Sequence, residues 1–386
     1  MRDPTAKYRF AWRPGNHFEL LVDGRQFFPA MLAAIEQAQS QVWLEMYLVE
    51  SGVVADHFIV ALCHAARRGL DVRVLVDDYG ASGLQQVDRQ RLQQAGVQLA
   101  LYNPLHWRKW LRNLLRDHRK LLIVDGRIGY VGGAGLSDDF DHPRRPQRSW
   151  REHMLSIEGA VLADWQALFM QVWREQHRSP IEALGAAIDA TAVTGGVNGR
   201  VAPAVALRVQ DIRRSLYYRL QGAERRIWLM TAYFVPSRRT LRALRQAAQR
   251  GVDVRLLLPG PVSDHPAIAH AGRRFYSPLL RAGVRVFEYQ PRFMHAKAVI
   301  CDGWVSIGSS NFDRWNLHWN LEANQEIDDQ PFADRLCAVI VSDLHDCIEI
   351  RYPDWHQRGL RARLREHLWG RIDRLLEGLG RLRRDR

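Results

Sequence analysis

Two histidine–lysine pairs are the residues of this chain best suited to chemistry. His118 and Lys120 stand in DHRKLLIVDGRIGYVGG, residues 117–133, and His295 and Lys297 stand in MHAKAVICDGWVSIGSS, residues 294–310. Each unit reads His-x-Lys, then four residues, then Asp-Gly, then a β-rich run into small residues. Side chains two apart on a strand share a face, roughly 7 Å apart along it, so each imidazole would have an ammonium beside it. A neutral imidazole is a usable nucleophile, and a protonated one is a general acid near neutral pH. An adjacent lysine supplies fixed positive charge for a phosphate oxygen. One such unit alone reads as a structural histidine next to a surface lysine. Two in matched positions can face each other across one site. One histidine would attack phosphorus in line while the other protonates the departing oxygen, with no metal and no cofactor required.

The residues around these pairs fit the same chemistry to different degrees. Asp125 and Asp302 stand an odd number of steps from their histidines, in Asp-Gly turns, so parity gives them turn chemistry rather than a place beside the imidazole. After the second hairpin, GSSN offers the Ser309 hydroxyl, the Asn311 amide and backbone N–H groups to phosphate oxygens; after the first, GGAG, containing Gly133, offers only backbone. Glu152 and Glu322 follow 34 and 27 residues after the respective histidines. A buried carboxylate accepting from the second ring nitrogen would fix the tautomer and stabilise the imidazolium; the alternative for either is a surface ion pair.

The elements that must position these residues come from a duplication. Four pairs of segments recur in the same order: 35–51 with 220–237, LCHAARRGLDVRVLV (62–76) with LRQAAQRGVDVRLLL (244–258), LQQAGVQLALYNP (92–104) with LLRAGVRVFEYQP (279–291), and the two His-x-Lys units, at offsets of 185, 182, 187 and 177. Within each half, apolar strands such as VWLEMYLV and LDVRVLV alternate with helical patterns, for example Phe28, Met31, Leu32 and Ile35, and with helix ends at Gly69 and Gly96. Alternation of this kind predicts two tandem α/β halves in a pseudo-two-fold arrangement, each a mostly parallel sheet flanked by helices. The Asp-Gly turns make each His-x-Lys unit a hairpin. Residues 159–178 form an amphipathic pattern with Val161, Leu162, Trp165, Leu168, Phe169, Val172 and Trp173 on one face. The expected units are a first half at 1–190, a second at 191–355 and a basic amphipathic tail at 356–386, with a Gly-rich join at 190–204.

Composition narrows the partners. A chain of 386 residues with 47% hydrophobic content is globular, and its net charge of +13 suits an anionic partner, nucleic acid or an anionic membrane face, unless the genome is simply arginine-rich. Four scattered cysteines without Cys-x-x-Cys spacing argue against a zinc site and a disulfide framework. No run of 18 apolar residues and no secretory h-region is present. The first half has ten extra residues between Pro104 and His118 compared with Pro291 and His295. There Trp107, Trp110, Leu111, Leu114 and Leu115 fall at helical spacing, with Arg108, Lys109, Arg112 and Arg116 off the stripe. Residues 105–116 therefore read as a short basic amphipathic helix at a membrane interface, or as a helix capping the core. Residues 358–386 carry ten arginines interleaved with leucines, a second segment suited to anionic headgroups.

The paired His-x-Lys-x4-Asp units resemble the HKD motifs of the phospholipase D superfamily. Stretches such as YFVPSRRTLRALRQAAQRGVDVRLLLPG and SSNFDRWNLHWNLEANQEI resemble, more closely, the bacterial cardiolipin synthases that lack N-terminal transmembrane helices, over residues 15 to 360. The resemblance implies a covalent phosphohistidine, with His118 as nucleophile, His295 as acid/base, and Lys120, Lys297 and Asn311 binding phosphate. It also implies importance for Asp125 and Asp302, which parity does not predict. Gly135 departs from the family pattern, which offers Asn there. The implied activity is transfer of a phosphatidyl group from phosphatidylglycerol or a related phospholipid to phosphatidylglycerol. The expected partner is an anionic membrane of phosphatidylglycerol and cardiolipin, met peripherally on the cytoplasmic face of a bacterial cell through 105–116 and 356–386, with no nucleic acid. The same residues would serve a hydrolase making phosphatidic acid, and the charge would also suit a nuclease.

Overall fold

The computed structural model describes residues 8–176, 191–205, 208–312 and 319–359. In the first half the strands are β1 (Arg13–Val22), β2 (Gln41–Met46), β3 (Asp71–Asp77), β4 (Gln98–Tyr102), β5 (Lys120–Val124), β6 (Ile128–Gly132) and β7 (His153–Gly159). The second half supplies β8 (Val197–Val205), β9 (Val209–Gln210), β10 (Arg226–Met230), β11 (Asp253–Pro259), β12 (Arg285–Tyr289), β13 (Ala298–Cys301), β14 (Trp304–Gly308), β15 (Leu321–Asp328) and β16 (Cys347–Ile350). All belong to one sixteen-stranded sheet, in the order β16-β12-β11-β10-β13-β14-β15-β8-β1-β7-β6-β5-β2-β3-β4, with β9 on β8. Outward from the antiparallel β1–β8 pair the two sequences of strands match position for position as far as β4 and β12, beyond which β16 adds one strand to the second half. The duplicated halves are joined edge to edge about a pseudo-dyad.

The expected parallel sheet holds for only three strands per half. β2, β3 and β4 run parallel, as do β10, β11 and β12. The strands toward the seam pair antiparallel. The reason lies in the connections. Helical crossovers of the kind at Val53–Arg67 return a strand parallel, whereas a tight turn such as Asp125-Gly126, both at positive φ (53° and 66°), can only reverse the chain.

Helices cover both faces of the sheet, so its inner strands are buried on both sides; all six residues of β2 are buried, Gln41 and Glu45 included. On one face, the helices Leu162–Gln176 and Gln330–His345 lie over a core shared by the two halves, which buries Trp165, Phe169, Phe332 and Leu336. The stripe read from the sequence, Val161 to Trp173, is buried there throughout. Two separate cores occupy the other face. The helix Gly24–Gln37 packs Phe27, Phe28, Met31 and Ile35 inward, and Asp211–Gly222 with Arg238–Gln249 do the same in the second half. Gly69 and its counterpart Gly251, at φ 86° and 92°, end the matched helices in the left-handed conformation that glycine tolerates. The domain boundary expected at 190/191 and most of the basic tail expected at 356–386 lie outside the described residues.

Candidate active site

Both histidines stand just ahead of an inner strand, and there the chain leaves its own half. Leu321 N donates to Arg116 O (2.8 Å) and His118 N donates to Leu321 O (2.9 Å). At the matched position Arg151 N donates to Phe293 O and His295 N to Arg151 O, each at 2.8 Å. Each histidine is thus stitched by its backbone to the segment of the opposite half that carries a glutamate.

The side chains follow the backbone across the seam. His118 Nδ1 lies 3.0 Å from Glu322 Oε1 and 3.1 Å from Oε2, and His295 Nδ1 lies 2.5 Å from Glu152 Oε2. Each glutamate thus lies against Nδ1 of the histidine of the other half. With Nδ1 donating to a carboxylate, Nε2 carries the lone pair toward the cavity. Lys120 Nζ donates to His118 O at 2.6 Å. Lys297 Nζ donates to His295 O, and it lies 2.7 Å from His295 Nδ1 and 3.4 Å from Glu152.

Burial sets the protonation of this cluster. It lowers the His118 pKa against the pull of Glu322, and it drives His295 well below the usual imidazole value, with Lys297 adding to the effect. Burial also pushes the Lys120 ammonium down to about 7, with Lys297 reinforcing it and Glu322 opposing it. Glu152 is raised by burial against the opposing charge of Lys297. Both imidazoles are therefore held neutral at neutral pH.

Behind His118 the two halves differ. Arg119, on the far face of the strand, pairs with Glu45 at 2.6 Å and Asp117 at 3.3 Å, and Arg116 reaches Asp77 at 3.3 Å, all buried. The matched positions in the second half are Ala296, Met294 and Phe293, which are apolar. His295 is instead boxed by aromatic rings, with Trp150, Phe140 and Phe293 at 5.1, 5.4 and 5.6 Å, while the His118 ring lies tilted against Tyr47 at 4.7 Å.

The motif aspartates do not enter the site. Asp125 accepts hydrogen bonds from Gln39 N, Ser40 N and Gln41 N at 2.8 to 3.0 Å, and Asp302 from Glu224 N, Arg225 N and Arg226 N at 2.9 to 3.0 Å. Each carboxylate ties the hairpin turn to the entrance of β2 or β10. Burial alone would raise their pKa values, and these donors outweigh it and hold both below the ordinary value. The catalytic expectation for Asp125 and Asp302 finds no contact with the imidazoles: both carboxylates accept their hydrogen bonds at the opposite end of the strand.

The small-residue segments also separate in role. Ser309 Oγ donates to Glu322 Oε2 at 2.5 Å and accepts from Ala323 N at 3.1 Å, so its hydroxyl is engaged with the carboxylate. At the matched place, a side chain on Gly133 would meet Glu152 Oε2 at 2.2 Å; glycine there makes room for the carboxylate. Asn311 Oδ1 accepts from Thr231 Oγ1 at 3.3 Å, and its Nδ2 is buried with no partner among the described residues. That leaves an amide donor still to be satisfied. Gly135, opposite it in the repeat, has no space for a side chain, since a Cβ would stand 2.6 Å from Leu48 Cβ.

One cavity of about 680 Å³ takes in both imidazoles, Lys120 and Gly133. It is also lined by residues that sequence reasoning did not single out, among them Tyr47, Tyr233, Trp150, Asp264 and His265. The two tyrosines fall in the first repeated segment pair, which carried that signal unread. Asp264 and His265 lie outside the repeat. No group of three or more His, Cys, Asp or Glu arranged to hold a metal occurs among the described residues.

Residues 105–116 run past the cavity, with Leu105 N donating to Asp78 Oδ2 (3.0 Å) next to the lining residue Tyr79. The expected α-helix is instead a 3-10 segment, Trp107–Leu114, broken at Trp110 (φ 44°, ψ −121°). Asn103 Nδ2 binds Arg112 O and Leu115 O, both at 2.8 Å, and Arg116 turns inward to Asp77, so tertiary bonds override the helical pattern. Trp107 and Trp110 are nonetheless 75% and 82% exposed. Among the described residues no helix is long and apolar enough to cross a membrane.

Comparison with known proteins agrees with this geometry. The family model described as cardiolipin synthase, PLD-like domain, matches residues 31–173 and 216–343, once in each half. Cardiolipin synthase B of Salmonella typhi is 34% identical over 367 residues, covering 89% of this chain and 84% of that protein. Cardiolipin synthase of Geobacillus kaustophilus is 30% identical over 385 residues, covering 96% of this chain and 75% of that protein. Among solved structures, the phosphatidylserine synthase of Haemophilus influenzae shares the fold, with a TM-score of 0.70 at 14% identity over 95% of this chain and 94% of that one. A family model met once on each side of the seam, and relatives aligned along most of the length, leave a single placement: the chain belongs to the cardiolipin synthase family of phospholipase D-like proteins.

Proposed function

We propose that the protein transfers a phosphatidyl group from one phosphatidylglycerol to another, forming cardiolipin and releasing glycerol. The observation that carries this reading is the pair of imidazoles lining one cavity, each held at Nδ1 by a buried carboxylate of the opposite half. His118 Nε2 attacks phosphorus, and the bond from phosphorus to the glycerol oxygen breaks as that oxygen takes a proton from His295. The head-group hydroxyl of a second phosphatidylglycerol then gives its proton to His295 and attacks phosphorus, and the bond to His118 breaks. Lys120 and Lys297 neutralise charge on the phosphoryl oxygens, and the Asn311 amide, whose Nδ2 has no partner among the described residues, donates a hydrogen bond to one of them. A bound phosphodiester anion offsets the lysines that depress His295 and so lets it carry the proton that the first step needs. One phosphodiester is exchanged for another, so no nucleotide is consumed, and water must be kept from the intermediate. The family's named synthases support the substrate assignment.

The exposed Trp107 and Trp110, with Leu105 and Leu114 and the charges of Arg108 and Arg112, form the membrane contact that brings lipid to the cavity. The protein in this reading is peripheral, on the cytoplasmic face of the cell membrane, and the basic residues beyond 358 add to the attraction.

The deciding experiment is mass spectrometry of lipids after incubation with phosphatidylglycerol vesicles, beside His118→Ala. Cardiolipin and glycerol formed only by the unaltered chain support transfer; phosphatidic acid as the dominant product means hydrolysis, and cleavage of DNA alone would remove the lipid reading.

A further inference from the structure

The second-half wall of the cavity contains a carboxylate that phosphate chemistry does not explain. Asp264 follows β11 and lines the cavity with Tyr233 and His295. Tyr233 donates its hydroxyl to Asp264 Oδ2, and His265 Nε2 lies 3.8 Å from the same oxygen. Asp264 Oδ1 takes no hydrogen bond, and no arginine or lysine pairs with this carboxylate, among the described residues. Its charge acts on both His295 and Lys297, raising their proton affinity, which places it on the acid/base side of the site.

An ionised carboxylate only accepts hydrogen bonds, and beside a bound phosphodiester it repels. Its placement suits a ligand group that donates, on the side where the alcohol leaves and enters. We propose that Asp264, held in place by Tyr233, selects the alcohol: it accepts hydrogen bonds from the glycerol hydroxyls next to the one that reacts at His295. This assignment rests on the phosphatidyl-transfer reading. In the transfer step the alcohol oxygen forms its bond to phosphorus as the bond from phosphorus to His118 breaks, and the alcohol proton passes to His295. Asp264 takes no part in those bond changes; it fixes the polyol so that one hydroxyl is aimed. The first half has a different wall at its own tyrosine, where Tyr47 lies tilted against His118 and Lys120 Nζ sits 5.0 Å from its ring centroid; polyol recognition is assigned to the side of the second histidine, where Asp264 and Tyr233 stand together.

The test is a competition for one intermediate. The full chain is given phosphatidylglycerol vesicles with perdeuterated glycerol and 1-propanol together, and the ratio of deuterated phosphatidylglycerol to phosphatidylpropanol is read by mass spectrometry. Both products arise from the same phosphatidyl-enzyme, so the ratio is independent of how much enzyme folds or how fast the intermediate forms. Asp264→Ala lowers the ratio about tenfold or more, the effect of losing hydrogen bonds to a charged group, and Tyr233→Phe lowers it in the same direction. A ratio unchanged in Asp264→Ala while both products still form overturns the assignment and leaves phosphatidyl transfer intact. If the unaltered chain makes cardiolipin but neither product, the assignment to free polyol hydroxyls is overturned alone; if it makes no cardiolipin either, the transfer reading fails and this one falls with it.

Discussion

Lys120 is the residue whose burial has the most direct kinetic consequence. Its ammonium is pushed down to about 7 in the unliganded protein, so its charge is present below that pH and lost above it. Because kcat/KM reports the groups of the free enzyme, kcat/KM for phosphatidylglycerol should fall as pH rises above about 7. Lys120→Arg, whose guanidinium stays charged, should move that fall to higher pH; a limb that does not move belongs to another group. The aspartates make the opposite case. Asp125→Ala removes the acceptor for three backbone N–H groups and should cost about 1–2 kcal/mol in urea unfolding, with kcat of the folded protein changed less than a few-fold. Strand parity was enough to place Asp125 and Asp302 in the turns and away from the imidazoles, and the family resemblance pulled against it. What parity could not supply was the destination of their oxygens, which depends on how β2 and β10 enter the sheet.

At the scale of elements, the segment 105–116 shows where periodicity stops being informative. Its tryptophans and leucines follow helical spacing, yet Asn103 and Asp77 claim the carbonyls and the arginine that a continued α-helix would need elsewhere. The pattern still recorded which residues face outward, because exposure of Trp107 and Trp110 survives the change of backbone. Replacing both by serine should weaken vesicle binding by about tenfold or more in a sedimentation assay, from the apolar area no longer buried. Turnover of a short-chain, water-soluble phosphatidylglycerol should change little. A loss on the soluble substrate as large as on vesicles would make the segment part of the cavity rather than a membrane contact. The strands were more legible than this connection: the repeat located matched helices, hairpins and C-terminal glycines. Of the antiparallel pairing near the seam only the two hairpins were foreseen, because α/β alternation describes only the three parallel strands of each half.

For the whole molecule, the pseudo-dyad sheet decides which glutamate serves which histidine. Both carboxylates were recognisable by spacing, whereas their exchange across the seam requires the pairing of 116–118 with Leu321 and of Arg151 with 293–295, contacts between segments that share no repeat position. Glu322→Gln should lower kcat about 10²- to 10⁴-fold and reduce the phosphohistidine trapped at His118, although it lies 204 residues away in sequence. Phosphohistidine yield equal to that of the unaltered chain would mean that Glu322 does not prepare the nucleophile. Likewise, Asp264 and the ionic cluster behind His118 escaped notice because they exist in one half only, and duplication draws the eye to what is shared.

The exchanged glutamates also set when in its synthesis the enzyme can begin to work. A nascent chain on the ribosome presents His118 long before the residue that must orient it, and His295 must then find a carboxylate made far earlier. No partial product ending short of residue 322 contains a complete pair around His118, however well its first half has folded. The proposed chemistry is thereby withheld until residue 322 has been made, and a product that stops short of it lacks the carboxylate that its first histidine needs.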